Sequence, residues 1–188
     1  MMETQRLIIR RFRPEDGADL FDYLSREEVV RFEPYGVVSR EQAERAAARR
    51  AEDETFWAVC KKEKDGGKLI GNIYMAKQEF DTWELGYVFN SDFWGKGYAY
   101  ETAKALMNSV FINQGAHRII AKCNPKNERS WKLLERLGMR REGYLRQCVW
   151  FKKDQNGNPL WQDTYEYGIL AEEWERLADI TQSCPSCE

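Results

Sequence analysis

Two glycines flank a lysine at Gly95-Lys96-Gly97. Before them runs Glu84-Leu85-Gly86-Tyr87-Val88-Phe89, and after them a long segment opens with Tyr98-Ala99-Tyr100. The order is strand, short loop, glycine turn, helix. A helix start leaves backbone N–H groups without partners and carries partial positive charge, so it is suited to binding phosphates. Gly95 and Gly97 let the backbone approach an anion closely and take positive φ. Lys96 adds a full charge at the rim. The same residues also suit a plain strand-to-helix turn. Two nucleotide motifs are absent. No Gly-x-x-x-x-Gly-Lys-Ser/Thr occurs, and Tyr100 stands where a dinucleotide fingerprint needs its third glycine.

A second pair follows at Asn127 and Ser130, three residues apart at the mouth of a later helix. That spacing places them on one helix face. Asn127 is an ordinary N-cap residue on any reading, and Ser130 has its own helix backbone as an alternative partner.

The elements around these residues read as one α/β (α+β) domain over residues 1–178, with 179–188 as a disordered tail. Arg6 to Arg10 reads as a strand. Pro14 starts a helix through Leu20, Phe21 and Leu24. Ser39-Arg40-Glu41-Gln42 has the form of a capping box and opens a helix to about Asp53. Strands follow at Phe56 to Lys62, Lys68 to Gln78 and Trp83 to Phe89, with a turn signal at Asp65-Gly66-Gly67. Ala99, Ala103, Leu106, Met107, Val110 and Phe111 form one apolar helix face, which Gly115 ends. Arg118 to Cys123 is a further strand. A short helix runs from Asn127 to Gly138. Strands near Arg141–Phe151 and Trp161–Leu170 flank a turn at Asn156-Gly157-Asn158, and a helix follows from Glu172.

Composition narrows the class. The 188 residues are 43% hydrophobic and 32% charged, with a net charge of −2, as in a soluble globular protein. Charges of both signs alternate, which disfavours a nucleic-acid partner. The run Arg45 to Arg50 reads as the outer face of its helix. No apolar run reaches ~20 residues, so no membrane span is expected. Without a signal-like start, the cytoplasm is the expected location. Seven tryptophans and nine tyrosines point to a well-filled core, and Trp83, Trp94 and Trp131 read as packing residues. Met75, Met107 and Met139 read as core filler, and His117 as a surface or cap residue. Cys60, Cys123 and Cys148 read as reduced core thiols. Cys184 and Cys187 have no second cysteine pair to complete a zinc site, so no metal is expected.

Trp94-Gly95-Lys96-Gly97-Tyr98-Ala99-Tyr100-Glu101-Thr102-Ala103 resembles the acyl-CoA-binding motif of the GNAT superfamily of N-acetyltransferases, written Gln/Arg-x-x-Gly-x-Gly/Ala. Asn124-Pro125-Lys126-Asn127-Glu128-Arg129-Ser130-Trp131, with Leu134-Glu135-Arg136-Leu137-Gly138-Met139, resembles that family's Asn-x-x-Ser…Glu-x-Leu-Gly-Phe segment. Glu3 to Arg10 and the order of elements agree, nearest to the subgroup containing the ribosomal-protein N-terminal acetyltransferases. The likeness spans about residues 3–175.

The resemblance implies a mostly antiparallel sheet of about seven strands flanked by helices, with two central strands splayed to hold CoA. It implies that backbone groups of Tyr87, Val88 and Phe89 pair with the pantetheine arm. Backbone N–H groups from Gly95 through Lys96, Gly97, Tyr98 and Ala99 to Tyr100 would hold the pyrophosphate. Asn127 would bond the pantetheine or the reacting end, and Ser130 would sit near the thioester sulfur. The implied reaction is direct attack of an amine on acetyl-CoA, with no metal. Ser130 is the candidate proton donor and Glu84 the candidate base, acting through water.

Three departures stand out. Trp94 replaces the usual Gln or Arg. Leu134 stands where many members carry a tyrosine acid. Lys122 stands where some protein N-terminal acetyltransferases carry a glutamate base. The expected acceptor is a primary amine, first a protein or peptide α-amine and next a small molecule. Glu28, Glu33, Asp81 and Glu84 are acidic groups that would attract a cation. The alternative is an acyl-CoA-binding sensor without turnover. A homodimer is left open, with the hairpin bearing Trp150, Phe151 and Trp161 as an interface or lid.

Overall fold

A computed structural model describes residues 1–62 and 67–183. The Asp65-Gly66 part of the expected turn lies outside them, as do Cys184 and Cys187. The elements are β1 (Met2–Glu3), β2 (Leu7–Arg11), a 3-10 turn (Pro14–Asp16), α1 (Gly17–Leu24), α2 (Glu27–Val30), α3 (Arg40–Glu52), β3 (Phe56–Lys61), β4 (Leu69–Lys77), β5 (Thr82–Phe89), a 3-10 turn (Ser91–Phe93), α4 (Tyr98–Gln114), β6 (Arg118–Cys123), α5 (Glu128–Arg136), β7 (Arg140–Lys153), β8 (Pro159–Leu170) and α6 (Ala171–Ser183).

The strands form one sheet in the order β1-β2-β3-β4-β5-β6-β8-β7. It has eight strands rather than about seven, because the short β1 pairs with β2 through Met2↔Ile9 and Glu3↔Ile8. All pairings are antiparallel except β5 with β6. A parallel pair needs a crossover, which α4 supplies. The region after Pro14 is divided into a 3-10 turn, α1 and a separate α2, where one helix was expected. Helix α6 runs through Ser183, into the stretch expected as tail.

The pairing of β5 with β6 stops early. Thr82 to Leu85 pair with Arg118 to Ala121. Beyond that, β5 stays paired only with β4, as far as Phe89, while β6 continues with β8 to Cys123. The two central strands therefore part after Leu85.

The sheet buries both faces. On one, Leu7, Ile9, Ile73, Leu85 and Phe89 pack with Ala103, Leu106, Met107 and Val110 of α4, Leu134 of α5 and Trp174 of α6. On the other, Ala58, Cys60, Leu69 and Val88 pack with Leu20, Tyr23, Val29, Val30, Ala43 and Ala47 of α1–α3. Each such aliphatic side chain contributes roughly 1.5–3 kcal/mol when fully buried. Met75, Met107 and Met139 are buried as expected. Cys60 and Cys123 are buried, but Cys148 is exposed, as is nearly every residue of β7.

A buried polar cluster joins α1 and α3 to β4. The Tyr23 hydroxyl and Arg50 donate to Asn72 Oδ1, at 2.8 and 3.1 Å. Arg50 also stacks over Phe12 and Phe56, so this end of the Arg45–Arg50 run turns inward. Ser39 and Gln42 form the capping box at the start of α3. Gly115 (φ 62°) ends α4 in the left-handed conformation.

Candidate active site

The turn between β5 and α4 is fixed from two sides. Asn90 is fully buried. Its Nδ2 donates to Asp22 at 3.0 Å and its Oδ1 accepts from Asp92 N. Arg26 donates to Asp22, Ser91 and Asp92, tying the turn to α1. On the opposite side, Glu101 accepts from Thr4 (2.5 Å), from Arg6 N and from Arg6 Nε (2.7 Å). Arg6 also donates to the Lys96 carbonyl at 3.0 Å. Burial opposes ionisation of Glu101, but the Thr4 and Arg6 hydrogen bonds outweigh it and hold the carboxyl below its ordinary pKa. Charge-assisted bonds of this kind hold a loop in register.

Held this way, Gly95 and Gly97 take φ of 74° and 79°, a region costly to residues with a Cβ. Gly97 is the N-cap of α4 and no side chain caps that end. The first hydrogen bond of the helix runs from Glu101 N to Gly97 O. The N–H groups of Tyr98, Ala99 and Tyr100 have no protein acceptor among the described residues, which leaves a cradle of donors for an anion.

A cavity of about 350 Å³ opens beside this cradle. Its walls include Tyr87, Val88, Phe89, Gly95, Gly97, Tyr98, Ala99, Tyr100, Asn127 and Ser130. Lys96 is not on them; its Nζ donates to Asp92 O at 2.8 Å. The positive charge comes instead from α5, where Arg129, Lys132 and Arg136 line the cavity. Arg129 lies over the Trp94 ring and Arg136 over the Tyr100 ring, at 4.4 and 4.9 Å. Spacings of three and four residues give these cations one helix face. That periodicity is visible in the sequence and was the missed signal.

Strand alternation corrects one expectation. Asn90 N donates to Ile70 O and Gln78 N to Thr82 O. With the register Asn72↔Val88, the Val88 backbone therefore faces β4. A strand has a period of two, so only Tyr87 and Phe89 present backbone groups to the gap left by β6. The Phe89 carbonyl accepts from Trp94 Nε1 at 2.8 Å. Val88 reaches the cavity with its side chain.

Asn127 caps α5, its Oδ1 accepting from Ser130 N at 3.3 Å. The Tyr87 hydroxyl lies 3.0 Å from both the carbonyl oxygen and Oγ of Ser130. Burial pushes the Tyr87 phenol well above its ordinary pKa, against the lowering effect of the Ser130 bond. Cys123, near Ser130, is pushed up to about 11, chiefly by burial, so it stays a thiol.

A second cavity of about 320 Å³ lies beyond, lined by Glu84, Leu85, Gly86, Lys122, Cys123, Asn124, Leu134, Phe151, Gln162, Asp163 and Thr164, among others. Both cavities share Phe32, Glu33, Tyr87, Asn127 and Ser130. Glu84 lines the second cavity and not the first, with Oε2 3.5 Å from Gln78 Nε2. Of the four acidic residues read as cation attractors, Glu28 and Glu33 line the first cavity and Glu33 and Glu84 the second, while Asp81 lines neither and pairs with Lys77. The residues alone marked Glu33 only as one acidic group among four, since its place on both cavity walls depends on how the loop after α2 folds.

This arrangement fits an acyl-CoA. A donor cradle faces cationic side chains across the first cavity, which suits a pyrophosphate. Next to it, a strand edge is free for an extended, amide-bearing arm. A parted parallel strand pair beside such a cradle is suited to an acyl-CoA-dependent transferase. A family model described as an acetyltransferase (GNAT) domain matches residues 6–140. The uncharacterized N-acetyltransferase YnaD of Bacillus subtilis (strain 168) is 37% identical over 174 residues, spanning 91% of this chain and 97% of that protein. The ribosomal protein uS5-alanine N-acetyltransferase of Escherichia coli (strain K12) is 36% identical over 72 residues, spanning 38% of this chain and 37% of that protein. A crystal structure of a GNAT-family acetyltransferase from Bacillus anthracis superimposes with a TM-score of 0.81 at 34% identity, covering 91% of this chain and 98% of that one. The chain belongs to the GNAT family of N-acetyltransferases, whose reaction moves an acyl group from acetyl-CoA to an amine.

Among the described residues no helix is long and apolar enough to cross a membrane. Among them, no three His, Cys, Asp or Glu side chains group as a metal site.

Proposed function

We propose that this protein acetylates a primary amine, foremost the α-amine of a protein or peptide N-terminus. The observation that carries the reading is the junction of two cavities at Tyr87 and Ser130, where β5 and β6 have parted. Acetyl-CoA enters from the cradle side. Gly95, Gly97, Tyr98, Ala99 and Tyr100 hold its pyrophosphate, Arg129 and Arg136 add charge, and Tyr87 and Phe89 bond the pantetheine arm. The amine arrives through the second cavity. Glu33, Glu84 and Asp163 line that cavity against a single cation, Lys122, and such a field favours a positively charged acceptor.

Ser130 gives its proton to the leaving thiolate. Tyr87 supports it, since its neutral phenol orients the Ser130 hydroxyl. Many relatives place a phenol on the helix, where Leu134 stands here; in this chain β5 brings one to the same junction. Fixed donors at a developing charge are the largest usual source of rate enhancement. The uS5-alanine acetyltransferase, matched over 72 residues, is the ground for putting a peptide α-amine first.

Calorimetric titration with acetyl-CoA, alongside thiol release on a panel of peptides with free N-termini and small diamines, tests this. Micromolar binding with amine-dependent thiol release is expected. Binding with no release on any amine would indicate a sensor built on the fold. No binding at millimolar acetyl-CoA would overturn the reading.

A further inference from the structure

We infer that Glu33, rather than Glu84, receives the proton of the acceptor amine. The inference rests on the proposed acyl transfer and deepens it.

Position comes first. Five residues lie on the walls of both cavities, and Glu33 is the one carboxylate among them. Glu84 sits lower, where β5 still pairs with β6 through Glu84↔Ile120, and it faces the second cavity alone. The reacting carbon must lie where the cavities meet, close to Ser130. A base has to reach the amine at that point.

Setting comes second. Glu33 N donates to Val30 O at 3.0 Å, closing the turn after α2. Pro34 follows, and a residue before proline is biased toward extended conformations. The backbone is thus fixed, yet the carboxylate has no hydrogen-bond or ion-pair partner among the described residues. A half-buried carboxylate without a partner is costly to keep, and it is free to bind an incoming ammonium.

Electrostatics agree. Burial raises the Glu33 carboxyl to about 7, against a lowering influence from Arg50 on α3. Tyr35 on the following loop and Tyr87 on β5 also feel its charge, and Glu28 and Arg129 share its cavity wall. A base that titrates near the working pH is the most effective kind.

The step balances. The bound ammonium first loses a proton to solvent; the neutral amine nitrogen then bonds to the thioester carbon, and one N–H proton passes to the Glu33 carboxylate. The carbon–sulfur bond breaks, and the thiolate takes the Ser130 hydroxyl proton. Transfer of the Glu33 proton through solvent to Ser130 restores both groups and leaves an amide and a free thiol.

The test compares Glu33→Gln, Glu33→Asp and Glu84→Gln in the whole protein. The amine is the one in the peptide and diamine panel that releases thiol fastest with wild type. Glu33→Gln should lower kcat/KM for that amine by about 10²-fold or more and abolish the acid limb near pH 7, with acetyl-CoA affinity unchanged. Glu33→Asp should restore part of the rate and a limb. Independently of any acceptor, pH-difference infrared spectra of the CoA-bound protein should show a carboxyl titrating near pH 7 that Glu33→Gln removes. Failure of every amine would count against the acyl-transfer reading, and the infrared band would still report on Glu33. An acid limb kept by Glu33→Gln, or lost instead in Glu84→Gln, would overturn the inference while leaving acyl transfer standing.

Discussion

The Tyr87 hydroxyl, carried by a β-strand, lies 3.0 Å from Ser130 Oγ, carried by a helix on the far side of the gap. This contact joins β5 to α5 at the junction of the two cavities. If the pair acts as one proton-donating unit, its members are not independent. Ser130→Ala should lower kcat about 10²-fold and Tyr87→Phe about 10-fold, with little change in the KM for acetyl-CoA. The double variant should be hardly slower than Ser130→Ala, and a double-mutant cycle of steady-state rates measures that coupling.

Gly97 caps α4 at φ 79°, and a Cβ there would lie 3.4 Å from an Arg6 nitrogen. Gly97→Ala should cost about 1 kcal/mol of backbone strain and shift the donor cradle. Acetyl-CoA affinity should fall about 10-fold by calorimetry and Tm by a few degrees. An unchanged affinity would remove the cradle from the binding site.

Arg136 lies over Tyr100 on the wall facing the cradle. Arg136→Ala should weaken acetyl-CoA binding about 5- to 10-fold at low salt, and by less at high salt where such charges are screened. S-acetylpantetheine lacks the nucleotide phosphates, so its affinity should not change. Equal losses for both ligands would mean that Arg136 acts through packing.

Glu33 has a stability consequence of its own. Its folded carboxyl keeps a proton to about pH 7, whereas an unfolded one releases it near about 4.3. Between those values the folded state binds more protons, so stability falls as pH rises through the window. Glu33→Gln removes that penalty. Its Tm should exceed that of wild type by a margin that grows from about pH 5 to about pH 8, reflecting a few kcal/mol at most. A constant margin measured by calorimetry would point to packing instead.

Much of this was readable in the residues. The capping box at Ser39 and Gln42, the stop at Gly115 and the apolar face of α4 are local features, and local rules placed them. The glycine turn was legible because positive φ and helix starts leave a clear signature. The site's chemistry was harder. Whether Tyr87 meets Ser130 depends on a strand residue and a helix residue 43 positions apart being brought together across one gap. Lys96 looked the natural phosphate contact, but its side chain turned back on Asp92, and the charge came from a helix more than thirty positions away. Val88 was grouped with its neighbours until the register with β4 fixed which strand residues face outward. Glu33 was one of four acidic groups that could draw a cation until the fold set it on the walls of both cavities.

The early end of the β5–β6 ladder also has a mechanical meaning. Strands β1 to β5 and strands β6 to β8 are two plates that share a hinge of four residue pairs, Thr82–Leu85 with Arg118–Ala121. An extended arm bonded along Tyr87 and Phe89 would lie in the open wedge as a removable strut. Binding of such an arm should stiffen this part of the sheet, where only four residue pairs join β5 to β6. Amide exchange at Tyr87 and Phe89 would then record how firmly the wedge is held, and the donor would be a part of the architecture for as long as it stays.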